Sequence, residues 1–359
     1  MERPNRFAGR EFLTDAEVAA KRKDQEAFQA RKAAGTSYEF FFRAQANFNN
    51  IFAYDPHLGP ISRRTAQIID PPSGRLPPLT AEAIKRWEDR EALSHGRGEA
   101  DSYIDRTLAE RCIGTLEIGR VGNWGLGDPP TVRPVRGGAG VQDASIGLQG
   151  VKAGTPREDF DTGGAPEGES GRPGRRILQA PGYVAIFISS DGNTSNGVEE
   201  YRIIPLSGLP RLGPMVKQFG GDRRGRWEGE ELVVETANLN DPDPMMTTYG
   251  ASIYPGTRET LRIAERYKLV DADHLEYRYT VDDPQTYTRP YTVLQEFTRD
   301  DNHIQGPDLC HENNKDLSAQ LAAARADEAA AQDFGAEHAA ARAQRLEEVK
   351  AELTARPKK

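Results

Sequence analysis

Two places along this chain combine residue types that can move a proton or hold a developing charge. His311 and Glu312 directly follow Cys310. Histidine titrates near neutrality and is the commonest general acid or base, and an anchored neighbour can orient it. Arg289 and Tyr291 flank Pro290 at the start of a strand-like run. An arginine there can bind a carboxylate or phenolate and stabilise an oxyanion, while a tyrosine can protonate a leaving group. Read as catalytic, His311 or Glu312 is the base, Arg289 the electrostatic stabiliser and Tyr291 the proton donor. The plainer readings are a surface turn after the last strand, an exposed arginine and a packed tyrosine.

Other residues suit the wall of an apolar pocket. Tyr249 and Tyr254 lie in DPDPMMTTYGASIYPG, where methionine and tyrosine together make an adaptable apolar lining. Asn47, Asn49 and Asn50 sit among aromatics, where an amide can clamp a ligand or satisfy loop backbone. Asn238 follows an apolar strand and adds to the wall. The triplet Gly225 to Trp227 is similar to the G-x-W signature of lipocalin-like barrels, in which the tryptophan plugs one end beneath an arginine. Arg224, Arg202 or Arg289 could be that arginine. Trp227 is thus expected as a barrel plug that also borders the substrate.

Several chemistries lack their motifs. There is no GxGxxG after a strand, no GxxxxGKT, no HExxH and no GxSxG. The six histidines show no metal spacing. No cofactor and no metal is expected, although carboxylates alone could still build a metal site. Net charge is −8, against broad nucleic-acid binding, which needs a basic face. No apolar run reaches the ~18 residues of a membrane span. The start, MERPNRFAGREF, has no signal-peptide core, so the chain is expected to be cytoplasmic or to follow a removed leader. The two cysteines, Cys112 and Cys310, are either two buried thiols or one disulfide closing a loop of about 200 residues. Such a bridge is worth roughly 4–5 kcal/mol and needs an oxidising compartment.

The elements that must position these groups change character along the chain. Residues 11–34 predict a helix, with Thr14 and Glu17 as a capping box and Gly35 as the stop. An aromatic, asparagine-rich stretch follows, then a short strand over residues 67–70 and a short helix over residues 80–95. Residues 119–176 are a Gly/Pro-rich insertion, of the length that forms a lid or an insertion loop. From residue 177 the pattern has period two: YVAIFIS, EYRIIPL, RWEGEELVVETA, TLRIAERYKLV, HLEYRYTV and YTVLQEFT. Leu275, Tyr277 and Tyr279 alternate with His274, Glu276 and Arg278, giving one buried and one wet face. The expected fold is mainly β with flanking helices: an antiparallel lipocalin-like barrel or a sandwich. Residues 1–110 pack on it, 111–315 form it, and 316–359 are an Ala/Glu/Arg-rich helix. That helix packs on the barrel or mediates self-association into a homo-oligomer. A mean hydropathy of −0.69 leaves much of the chain outside the core.

An ordered set of blocks runs through the chain: FLTDAEV, ANFNNIF, RTAQIIDPPSGRLPPLTAEA, ERCI, QAPGYV, YRIIPL, GDRRGRWEGEELVVET, ERYKLVDADHLEYRYTVDDPQTYTRPYT and CHE. Over most of residues 7–315 it resembles a large family of bacterial proteins, abundant in soil bacteria and mostly without assigned function. Family members often carry export signals, and their cysteines fall in the ERCI and CHE blocks. The resemblance therefore implies a Cys112–Cys310 disulfide and a periplasmic location. This chain departs from the family in its long segment between ERCI and QAPGYV. It also has SSDGNTSNGVEE where the family carries a histidine-containing turn, which puts a shared substrate in doubt. A looser similarity, carried by no single motif, is to cofactor-independent enzymes of lignin-derived aromatic dimers such as phenylcoumaran formaldehyde lyases. The expected function is a cofactor-independent lyase or isomerase acting on a small apolar, aromatic molecule, with C–C cleavage and formaldehyde release as one form. The alternative is a non-catalytic periplasmic lipocalin-like carrier of a hydrophobic ligand, and a third reading is an interaction protein acting through its C-terminal helix.

Overall fold

The computed structural model describes Arg3, residues 7–33, 63–85, 175–188, 200–218, 220–239, 260–299, 316–329 and residue 347. Helix α1 spans Asp15–Ala33. Its start is set by the Thr14–Glu17 box: the Thr14 N–H donates to the Glu17 carboxylate at 2.7 Å, and the Glu17 N–H donates to Thr14 Oγ1 at 3.3 Å. The hydrogen bond from the Thr14 backbone, with those from Arg10 and the Thr14 hydroxyl, brings the Glu17 carboxyl down to about 2.

Among the described residues nine strands follow: β1 (Ile68–Asp70), β2 (Arg175–Ala180), β3 (Tyr183–Ile188), β4 (Glu200–Pro205), β5 (Asp222–Glu228), β6 (Glu231–Ala237), β7 (Arg262–Leu269), β8 (His274–Asp282) and β9 (Tyr291–Thr298). Helix α2 spans Asp316–Ala329. All strand pairs are antiparallel. They form a six-stranded sheet in the order β1-β9-β8-β7-β6-β5 and a three-stranded sheet β2-β3-β4. No hydrogen-bonded ladder joins the two sheets among the described residues, so these strands do not close a barrel.

The sheets instead face one another. Ile204 and Leu206, on and just after β4, lie over Gly225 of β5, so closely that a Cβ there would come within 2.6 Å of Ile204 Cγ2. That close approach is why the position is glycine. Between the sheets lie Val184, Ile186 and Ile204 from the small sheet and Leu232, Val234, Ile263, Tyr267, Tyr277, Tyr279 and Val293 from the large one. The period-two pattern of these strands places those residues on one face.

The opposite face of the large sheet is a ladder of alternating charge. Arg226 pairs with Glu228 and Glu235, Arg266 with Glu228 and Glu231, and Arg278 with Glu231 and Glu276. Val233 is buried on this charged face because its cross-strand neighbours are Arg226 and Arg266, whose stems flank it.

One end of the large sheet is covered by the segment after β1. Leu79 bridges to Tyr287, the Thr288 N–H donates to the Pro78 carbonyl, and Thr80 Oγ1 donates to the Gln285 carbonyl. Thr80 also caps the helical turn over 81–85 by accepting from the Ala83 N–H. Ile68, Leu76 and Leu79 thus belong to the same core as the β strands.

Of the two expected forms, barrel or sandwich, the described strands show two packed antiparallel sheets and no closed barrel. Two other expectations are corrected here. β2 begins at Arg175, inside the segment read as an insertion; it is an edge strand with mostly exposed side chains, so it shows no two-sided alternation. Trp227 does not plug an end: it lies on edge strand β5 and is 46% exposed. Among the described residues, no helix is long and apolar enough to cross a membrane.

Candidate functional site

The face of the large sheet that meets the small sheet carries a charged group at its centre. Glu265 on β7 and Arg202 on β4 are both 0% exposed. Their parity explains it: Glu265 alternates in phase with Ile263 and Tyr267, and Arg202 with Ile204. The guanidinium meets the carboxylate in a two-pronged contact, Nη1 to Oε1 at 2.8 Å and Nη2 to Oε2. The hydroxyls of Tyr277 and Tyr267 donate to the same Oε1 at 2.7 and 2.9 Å. Burial pushes the Glu265 carboxyl up, but the Arg202 charge and the hydrogen bonds from Arg202, Tyr277 and Tyr267 together outweigh it and hold the group well below the usual carboxylate range.

Chemically, this group is a neutralised ion pair with two phenols fixed by one carboxylate oxygen. An anion held so low is a poor base. Its effect is to orient the phenols and to tie the two sheets together. The Tyr267 and Tyr277 rings stack at 4.6 Å between centroids, and Phe297 lies 6.1 Å from Tyr277.

Moving along the same face away from the covered end, the lining turns apolar and loses its cover. The register sets Trp227 opposite Leu232, Leu232 opposite Tyr267, Tyr267 opposite Tyr277, and Leu269 opposite Leu275, which pairs with Phe297. Leu275 and Phe297 are partly buried against the core, whereas Trp227 is 46% and Leu269 64% exposed. The inner face thus ends in two exposed apolar side chains, Trp227 and Leu269, beyond the buried row of Leu232, Tyr267 and Tyr277.

The expected site residues that are described lie in separate places. Arg289 and Tyr291 lie at the other, covered end of β9. Arg289 pairs with the Asp70 carboxylate at 2.8 Å, and Tyr291 is buried edge-on against Tyr287, 5.2 Å between centroids. Trp227 lies at the open end. Asn238 stands outside the sheet with φ 55° and donates to the carbonyls of Leu212 and Gly213 at 2.9 and 3.3 Å, fastening the loop after β4. Asp222 is a buried cap for the same loop, accepting from the Leu212 N–H at 2.8 Å. His311, Glu312, Asn47, Asn49, Asn50, Tyr249, Tyr254, Cys112 and Cys310 lie outside the described residues.

Glu265, Tyr267 and Tyr277 were not singled out from the sequence, and Arg202 only as a partner for Trp227. The signal was present as parity. A glutamate between Ile263 and Tyr267, in the buried phase of a strand, needs a buried cation, and YRIIPL offers one in the phase of Ile204. Among the described residues no cluster of His, Cys, Asp and Glu could hold a metal ion. Comparison with family models and with curated proteins finds no match for this chain.

Proposed function

We propose that the open end of the inner face takes up a small apolar, aromatic molecule, as a lipocalin-like carrier does. The observation that carries this reading is the placement of Trp227 and Leu269, exposed, on the same face and at the same end as the Tyr267–Tyr277 stack and Phe297. Flat aromatic side chains at a mouth favour a flat ligand through stacking and area burial. The fixed charge pair below supplies a rigid floor.

The second reading is a cofactor-independent lyase or isomerase acting on a lignin-derived aromatic compound. It is favoured by the two phenols held by Glu265, which sit beneath the mouth where a ligand hydroxyl would arrive. In such a reaction a base takes the alcohol proton, a C–C bond breaks to release formaldehyde, and an acid protonates the remaining fragment. His311 and Glu312 remain the proposed bases, and the periplasmic, disulfide-bonded state remains part of this proposal.

Titration of the protein with 2-naphthol, followed by equilibrium dialysis, tests the binding reading. Saturable binding is expected, weakened at least about fivefold by Trp227→Ala, which removes one ring contact of roughly 1 kcal/mol. Absence of saturable binding, or an unchanged affinity in Trp227→Ala, would refute it. Incubation with phenylcoumaran-type dimers and a formaldehyde assay decides the lyase reading separately.

A further inference from the structure

One row inward from the mouth, the apolar lining is interrupted. Gln295 lies on the inner face of β9 between Val293 and Phe297, opposite Tyr277. Its side chain is half-buried, as is that of Gln67. Gln67 is fixed by its backbone, whose carbonyl accepts from the Leu294 N–H at 2.8 Å. The two amides touch through Gln295 Nε2 and Gln67 Oε1 at 3.5 Å, the outer limit of a hydrogen bond.

A glutamine side chain has two N–H donors and a carbonyl with two lone pairs. Among the described residues, that single long contact is the only side-chain hydrogen bond of either amide. Two half-buried amides beside the Tyr277 and Phe297 rings therefore keep most of their donor and acceptor capacity. A hydrocarbon settling there would strip water from both and return nothing. A hydroxyl would donate to Gln295 Oε1 and accept from an amide N–H in one plane.

We propose that Gln295, supported by Gln67, is the polar clamp of this site, selecting aromatic molecules that carry a hydroxyl group over hydrocarbons of the same shape. The inference rests on the open end being a binding site. The ligand class it names is a phenol, with the ring against the partly exposed Phe297 and the hydroxyl turned toward Gln295.

Equilibrium dialysis with 2-naphthol and with 2-methylnaphthalene, in which a methyl group replaces the hydroxyl, tests it. The wild-type chain is expected to bind 2-naphthol about 10-fold more tightly, since unpaired polar groups penalise the analogue. Gln295→Leu should remove the preference and leave 2-methylnaphthalene within about twofold of its wild-type affinity. If Gln295→Leu does not fold, Gln67→Leu should shrink the same preference. Equal affinity for both compounds in the wild type, or a preference that survives in the folded variants, overturns the clamp while the binding site stands. Failure of both compounds to bind removes the site itself.

Discussion

Replacing Glu265 by glutamine tests the central contact between the two sheets. The substitution keeps the side-chain shape and an acceptor for the tyrosine hydroxyls, but it leaves the Arg202 guanidinium, 0% exposed, without a counter-charge. Removing one partner of a buried ion pair costs about 3–5 kcal/mol. Against a total stability of roughly 5–15 kcal/mol that is a large fraction. In urea, with a slope of about 2–3 kcal/mol/M, the midpoint should fall by about 1–2.5 M with the slope unchanged. The companion Arg202→Met/Glu265→Leu variant removes both charges and should recover most of the loss, because the desolvation cost goes with them. The pH dependence has a definite sign. The folded carboxyl is held below its unfolded value of about 4.3, so its stabilisation is full above that pH and declines as the pH falls toward the folded value. The gap between wild type and Glu265→Gln should be constant above about pH 5 and narrow by about 1.4 kcal/mol per pH unit below about pH 4. A loss under about 1 kcal/mol at pH 7, or a gap that does not narrow in acid, would refute the view that an ionised Glu265 ties the sheets together.

Two further substitutions probe the frame around the site. Gly225→Val should cost about 1–3 kcal/mol by thermal unfolding, because a side chain there meets Ile204 and Leu206 and pushes the small sheet off β5; a neutral result would mean the sheets do not pack at this point. Arg289→Ala breaks a half-exposed pair with Asp70 and should change stability by less than about 1 kcal/mol and leave 2-naphthol affinity unchanged. A tenfold loss of affinity in that variant would place the ligand at the covered end, beside Tyr291.

Secondary structure was largely readable from the chain, because each element carries its own local signal. The capping box at Thr14 and Glu17 depends only on residues three apart, and the alternation in HLEYRYTV specifies which side chains share a face whatever that face meets. β2 was not readable, since an edge strand exposed on most of its length has no buried phase to display. Trp227 was misread for a related reason. Its sequence neighbourhood suits a strand with a large inward side chain, but whether anything covers that side chain depends on where another sheet ends.

The same division holds for the candidate site. By itself the sequence determined an antiparallel β protein with helical flanks, the phase of most of its strands and the absence of the common cofactor motifs. Only the tertiary structure decided that Arg202 and Glu265, 63 positions apart, meet in a buried interior. It also set Arg289 and Tyr291 at the covered end of β9 and Gln295 and Phe297 toward the open one. Period-two alternation fixes the face of a residue but is silent on its height along the sheet and on which sheet lies opposite. Those are set by strand register and by close packing between sheets, which couple residues far apart in the chain.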